Sequence, residues 1–219
     1  MKISEKLYFA VKDIWESYNV HPFVCGVGNG TLDKEKFKFY LIQDYLYLLD
    51  YSKVFALGMV KAKDEDVMRL FSKLAYGTLD HEMSTHKAYM ERFGVTQSDI
   101  KLAEVSLPNH SYTKYMLAVG QNEGVAEIAV AVLACAWSYK CIGDHLEKIE
   151  GLKDHEFYGE WVSAYTSDEY RESNTTIIEL VDRLTKDYTD EQIKNLEEII
   201  INCSRYEYMF WDMAWNKEM

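Results

Sequence analysis

Apolar residues recur along most of the chain at the three- and four-residue spacing of amphipathic helices. Leu7, Val11, Ile14 and Trp15 form a first stripe. His21-Pro22 stops it, and Gly26, Gly28 and Gly30 predict a loop. A long helix is predicted from about Asp33 to Ala62, with the stripe Phe37, Leu41, Asp44, Leu48, Tyr51, Phe55 and Met59. Val67 to Tyr76 and Leu79 to Phe93 are predicted as a helical pair around Gly77. Pro108 falls early in the next helix, where a missing N–H is harmless. A helix from Val125 to Glu150 follows. Thr166-x-x-Glu169 and Thr189-x-x-Gln192 have the form of capping boxes and predict two more helix starts, the last helix running nearly to the C-terminus. No stretch alternates like a strand. The expected architecture is all-α: one domain over residues 1–219, a bundle of long helices with its site between them.

Three of these stripes are interrupted by a chemically capable side chain. Asp44 lies between Leu41 and Leu48, with Tyr47 and Tyr51 following. Cys135 lies in the series Val125, Ile128, Val132, Cys135, Tyr139, Ile142, Leu146, with Tyr139 one turn away on the same face. Ala129, Ala131, Ala134, Ala136 and Gly143 on that helix are small enough to admit a close neighbour. Glu207 lies in the series Ile193, Leu196, Ile200, Cys203, Glu207, Phe210, Ala214, flanked by Tyr206, Tyr208 and Trp211. Each has a structural reading as well. A carboxylate on a core stripe needs a partner or a raised pKa, and a tyrosine or arginine meets that need. A free cysteine packs as a small hydrophobe. Taken together, a thiol and two carboxylates pointing inward among tyrosines suit nucleophilic and acid–base chemistry on a planar, nitrogen-bearing ring.

Composition narrows the partners. The formal net charge is −12, which repels phosphate backbones and anionic lipid, so neither nucleic acid nor membrane is expected. The N-terminal residues lack the apolar core of a secretory signal, and the longest apolar run, Ile128 to Trp137, is too short for a span. Cys25, Cys135, Cys141 and Cys203 form no Cys-x-x-Cys pair and read as free thiols of a reducing cytoplasm. The 17 tyrosines fit either half-buried helix surfaces or an aromatic pocket. Phe157, Tyr158 and Trp161 fit either a core or an interface.

Metal and cofactor chemistry finds no support. His81 and His86 are five apart, not the four of a zinc helix, so they diverge around a helix. No Glu-x-x-His pair suits a di-iron bundle. His21, the one histidine before His81, sits beside Pro22 and is a poor haem ligand. Gly26-x-Gly28-x-Gly30 lacks the dinucleotide spacing.

Cys135-Ala136-Trp137-Ser138-Tyr139, read with Gln43-Asp44-Tyr45-Leu46-Tyr47 and Tyr206-Glu207-Tyr208-Met209-Phe210-Trp211, resembles the TenA or thiaminase II family. His21-Pro22-Phe23-Val24, the Gly-Asn-Gly-Thr-Leu ending at Leu32, and Ser111-Tyr112-Thr113 extend the resemblance over essentially the whole chain. It implies a haem-oxygenase-like helical fold without haem or other cofactor, a cytoplasmic homotetramer, and hydrolysis of aminopyrimidines in thiamine salvage. 4-Amino-5-aminomethyl-2-methylpyrimidine would lose ammonia to give the hydroxymethyl pyrimidine, and thiamine would be cleaved to the same pyrimidine and the thiazole alcohol. By the same resemblance Cys135 is the nucleophile, Glu207 the acid–base carboxylate and Asp44 the carboxylate on the ring nitrogen and amine edge. Tyr47, Tyr112, Tyr139 and Tyr165 would line the pocket, and no residue would bind metal. Ala134, Ala136 and Thr166-Ser167 depart from the family pattern and bear on pocket width. A non-catalytic pyrimidine- or thiamine-binding protein on the same scaffold is the alternative; a transcriptional regulator fits the charge poorly.

Overall fold

Helix starts in the computed structural model, which describes residues 1–219, fall mostly where the sequence supplies a cap. The helices are α1 (Ile3–Tyr18), α2 (Pro22–Gly28), α3 (Lys34–Lys61), α4 (Glu65–Tyr76), α5 (Met83–Arg92), α6 (Gln97–Leu102), α7 (Leu107–Asn122), α8 (Val125–Leu146), α9 (Gly159–Thr166), α10 (Asp168–Leu184) and α11 (Asp190–Asn216). Asp33, Asp64, Thr96 and Ser106 each accept a first-turn N–H, for α3, α4, α6 and α7 respectively. Thr189 and Gln192 bond each other's backbone N–H at 3.3 and 2.9 Å, the expected box at the start of α11. There are no strands, as the periodicity predicts.

Four local expectations are corrected. The glycine segment is helix α2, not a loop: His21 Nδ1 accepts the Phe23 N–H, Pro22 starts the helix, and Phe23, Val24 and Val27 are buried. The chain does not turn at Gly77. Gly77–Glu82 is a π-helical turn that joins α4 to α5, and Gly77 itself is helical, with φ −56°. The cap before α10 is Ser167, which accepts from Tyr170; Thr166 ends α9 and bonds back to the Val162 carbonyl. Met59 is exposed rather than part of the α3 core stripe. α8 is also long and apolar enough to cross a membrane by length and composition, but most of its apolar window is buried within the protein, as in a core helix.

Contacts group the chain into two compact units, each assembled from distant segments. The first comprises Met1–Leu32 and Ala129–Tyr208. Here α1 is tied to α10 by Ser4, whose N–H and hydroxyl both donate to Asp182 at 2.9 Å. It is tied to α11 by Trp15, whose indole N–H donates to Ser204 Oγ at 2.9 Å. Tyr158 and Trp161 are buried, and Tyr158 donates to the Leu32 carbonyl at 2.5 Å, so both belong to the core. The second unit comprises Asp33–Ile128 and Met209–Met219. In it α3 is the central element, against which α4, α5 and α7 pack. Glycines admit the closest approaches. A Cβ at Gly58 would meet the Phe71 ring at 2.4 Å, and one at Gly120 would meet Leu57 at 2.7 Å.

Candidate active site

In the first unit, α8 turns Cys135 to a half-buried position next to the fully buried Ala131, Val132 and Ala134. One turn on, the buried Tyr139 ring lies 4.8 Å from Tyr165 and 6.1 Å from Trp161, and Trp161 and Tyr165 are 4.9 Å apart. α9 carries Tyr165 close to α8 because Gly143 has no side chain there. Tyr170 of α10 closes this aromatic group, edge-on to Tyr165 and donating to the Ala136 carbonyl at 3.0 Å. Glu207 is 2 % exposed on α11, one turn beyond the buried Cys203. Burial, and then the charge of Glu207, push the Cys203 thiol far above its ordinary range, so that cysteine is inert packing.

The sequence reading overlooked Tyr18. Its phenol is fully buried and donates to the Ser204 carbonyl at 2.5 Å. Burial, then the charge of Glu207, raise its pKa well above 10; the hydrogen bond to Ser204 opposes this, and Cys135 and Cys203 add to it. Tyr18 is therefore a permanently neutral phenol within electrostatic reach of both Cys135 and Glu207. The signal was present, because Tyr18 continues the stripe of Leu7, Val11 and Trp15.

In the second unit, α3 carries Asp44 and, nearly one turn later, Tyr47. Asp44 is 5 % exposed, and its Oδ2 lies 2.5 Å from Nε2 of His86, itself 6 % exposed. The other ring nitrogen of His86 lies 3.1 Å from the Glu82 carbonyl oxygen. Burial alone would depress the imidazolium. The Asp44 charge and hydrogen bond, with Glu82, outweigh it and push His86 up to about 9. Glu82 is pushed up to about 7 by burial against the pull of His86. The Tyr47 ring lies 5.3 Å from Tyr112 and stacks on Tyr51 at 5.2 Å, and Tyr112 is fully buried. The neighbouring Gln43 locks this stretch of α3 to the start of α7. It accepts from the Ser106 N–H at 3.1 Å, while Asn109 donates to its backbone carbonyl at 2.7 Å.

The seven expected residues thus fall in two groups. Cys135, Tyr139, Tyr165 and Glu207 belong to the first unit, and Asp44, Tyr47 and Tyr112 to the second. No group of three or more His, Cys, Asp or Glu side chains is arranged to hold a metal ion. The first unit offers a thiol, a buried carboxylate and tyrosine faces, and the second a buried carboxylate–imidazole pair and tyrosine faces; groups of these kinds serve covalent addition and proton transfer.

Comparison with known proteins agrees over the whole chain. An aminopyrimidine aminohydrolase of Helicobacter pylori is 47% identical over 215 residues, covering 98% of this chain and 99% of its own. The solved structure of a TenA homologue protein from P. horikoshii OT3 matches with a TM-score of 0.90 at 30% identity, over 99% of both chains. Haem oxygenase-1 from the cyanobacterium Synechocystis sp. PCC6803 matches with a TM-score of 0.65 at 12% identity, over 99% of this chain and 94% of its own. This last likeness is one of fold, which is haem-oxygenase-like. The sequence profile of the TENA/THI-4/PQQC family spans residues 9–217, and the chain belongs to that family.

Proposed function

We propose that the protein is an aminopyrimidine aminohydrolase of thiamine salvage. It replaces the amine of 4-amino-5-aminomethyl-2-methylpyrimidine with water, releasing ammonia. It also cleaves thiamine to the hydroxymethyl pyrimidine and hydroxyethylthiazole. The observation that carries this reading is the near-complete mutual coverage, at 47% identity, with the H. pylori aminohydrolase.

The chain's own residues take the following parts. The Cys135 thiol adds across a ring C=N bond, its sulfur to carbon and its hydrogen to nitrogen, and aromaticity is lost. Asp44 holds the ring N–H and amine edge. Glu207, buried, takes its acid form for this step and gives a proton to the leaving amine, and the ring electrons expel it to leave an exocyclic methylene. Water adds to that methylene and returns a proton to Glu207. The C–S bond then breaks, the ring nitrogen gives its proton back to sulfur, and the aromatic product leaves. Tyr47, Tyr112, Tyr139 and Tyr165 supply flat faces and hydroxyls to a planar substrate. The enzyme works as a cytoplasmic homotetramer.

The test is to incubate purified protein separately with the aminomethyl pyrimidine and with thiamine, and to chromatograph for the hydroxymethyl pyrimidine. Product from either is expected. Tight binding of both without any product would overturn the reading in favour of a binding protein.

A further inference from the structure

We propose that His86 is a positioning residue of this reaction: it fixes and charges Asp44, and the π-helical turn before α5 exists to put it there. This rests on the reading of Asp44 as the carboxylate that holds the pyrimidine edge.

Hydrogen-bond bookkeeping comes first. His86 stands between a carboxylate oxygen at 2.5 Å and a backbone carbonyl oxygen at 3.1 Å. A carbonyl never donates, so Nδ1 carries a hydrogen. An ionised Asp44 accepts only, so against it Nε2 carries one as well. With the Asp44 charge and hydrogen bond holding the proton on the ring, both conditions make His86 an imidazolium. One carboxylate oxygen is engaged and oriented, which leaves Oδ1 for a ligand. An oriented anion is what the ring-addition step needs, because the ring nitrogen gains a hydrogen as sulfur bonds to carbon. The surrounding charged groups are few: Asp44 faces the imidazole from α3, and Glu82 faces it from the π-helical turn.

The second observation is one of register. Buried positions run Val67, Phe71 and Thr78, then Met83, His86 and Met90. Steps within each set follow the helical repeat of three, four or seven, but Thr78 to Met83 is a step of five, the repeat of a π-helix. The turn Gly77–Glu82 inserts that one extra residue. An uninterrupted α-helix would swing everything after it by about 100° around the axis, and His86 would leave the face that meets α3. His81 is exposed while His86 is buried, so the two histidines serve different surroundings.

The experiment has a substrate-free arm and a kinetic arm. With ¹⁵N-histidine-labelled protein and no ligand, NMR is expected to show both His86 ring nitrogens protonated at neutral pH. Asp44→Asn should shift the His86 titration to lower pH. A neutral His86 at pH about 7 would overturn the proposal regardless of any activity. In the kinetic arm, His86→Ala is expected to raise KM by about 10-fold or more, the worth of one charged hydrogen bond, with a smaller change in kcat. His86→Gln, which keeps a donor but not the charge, should recover most of the KM while losing the alkaline limb of the kcat/KM profile. A packing role alone would lower thermal stability and leave that limb where it was; an unmoved limb in His86→Gln therefore also overturns the proposal. Should the wild-type protein turn nothing over, calorimetric affinity for the hydroxymethyl pyrimidine replaces KM in the same variants. Failure of the reaction is then told apart from failure of the pair.

Discussion

A Cβ placed on Gly143 would stand 2.9 Å from the carbonyl oxygen of Tyr165. That oxygen is backbone, so it cannot rotate aside as a side chain does. The contact sets how near α9 comes to α8, and with it the 4.8 Å separation of the Tyr139 and Tyr165 rings.

Gly143→Ala should therefore displace Tyr165. Overpacking costs about 1–3 kcal/mol, against a helix-propensity gain of up to about 1 kcal/mol. A net loss of stability in urea denaturation is expected, together with a raised KM for the pyrimidine. Gly77→Ala is the contrast, since a Cβ there meets nothing within 4 Å. A Gly143→Ala protein as stable and as active as the parent would show that the approach of α9 is not fixed by this contact.

Cys135→Ser should fold normally and lose about 100-fold or more of kcat, since in the proposed mechanism it removes the nucleophile and retains binding. The four thiols should also separate chemically. Cys203 is fully buried and pushed far up, and burial, opposed by the charge of Lys140 and aided by that of Asp144, pushes Cys141 up to about 11. Neither should react with iodoacetamide at neutral pH in the folded protein. Mass spectrometry should find Cys135 modified, and protected by the hydroxymethyl pyrimidine. Modification of Cys135 that product leaves undiminished would place it away from the ligand.

Ser204→Ala should cost about 1–3 kcal/mol, because it leaves the buried Trp15 indole N–H without its acceptor at 2.9 Å. The Tyr18 bond, made to the Ser204 backbone, is untouched by that change. Equilibrium denaturation is the measurement, and a cost below a few tenths of a kcal/mol would mean the indole finds another partner.

Stability should fall on the alkaline side. His86 is pushed up from 6.5 to about 9, so its contribution is fully present below pH about 6.5 and disappears as pH rises through about 9. At about 1.4 kcal/mol per tenfold change in proton affinity, this is on the order of 3 kcal/mol. Glu82, pushed up from 4.5 to about 7, acts in the same sense at lower pH. Urea midpoints at pH about 6 and about 9.5 should differ, and His86→Gln should flatten the upper part of the curve. Equal midpoints in the wild-type protein would contradict the charge assigned to the pair.

The all-helical class was legible because long apolar stripes recur with the helical repeat and few breakers intervene. Asp44 and Glu207 were legible for the same reason: a carboxylate on an unbroken stripe is conspicuous, and both are buried. His86 was not, because the five-residue step between Thr78 and Met83 disrupts the periodicity on which such a reading depends. Its spacing from His81 suggests at most a metal ligand, and five residues is the wrong spacing for one. Tyr18 was lost where His21-Pro22 ended the first stripe. α2 was hidden by its glycines, which in this case pack closely: a Cβ at Gly28 would touch Ile149 and Leu146 at 3.0 and 3.1 Å. Short-range composition cannot distinguish a glycine that bends the chain from one that admits a neighbour.

The Trp15–Ser204 bond joins residues 189 positions apart. Ribosomes add roughly 5–20 residues per second, so α1 emerges roughly 10–40 s before the segment that covers it. Throughout that interval Trp15 and Tyr18, both buried in the finished protein, lack their Ser204 partner on α11. Apolar surface left uncovered in this way makes a nascent chain aggregation-prone. A holdase that shields amphipathic helices during translation should raise soluble yield more than any aid given after release.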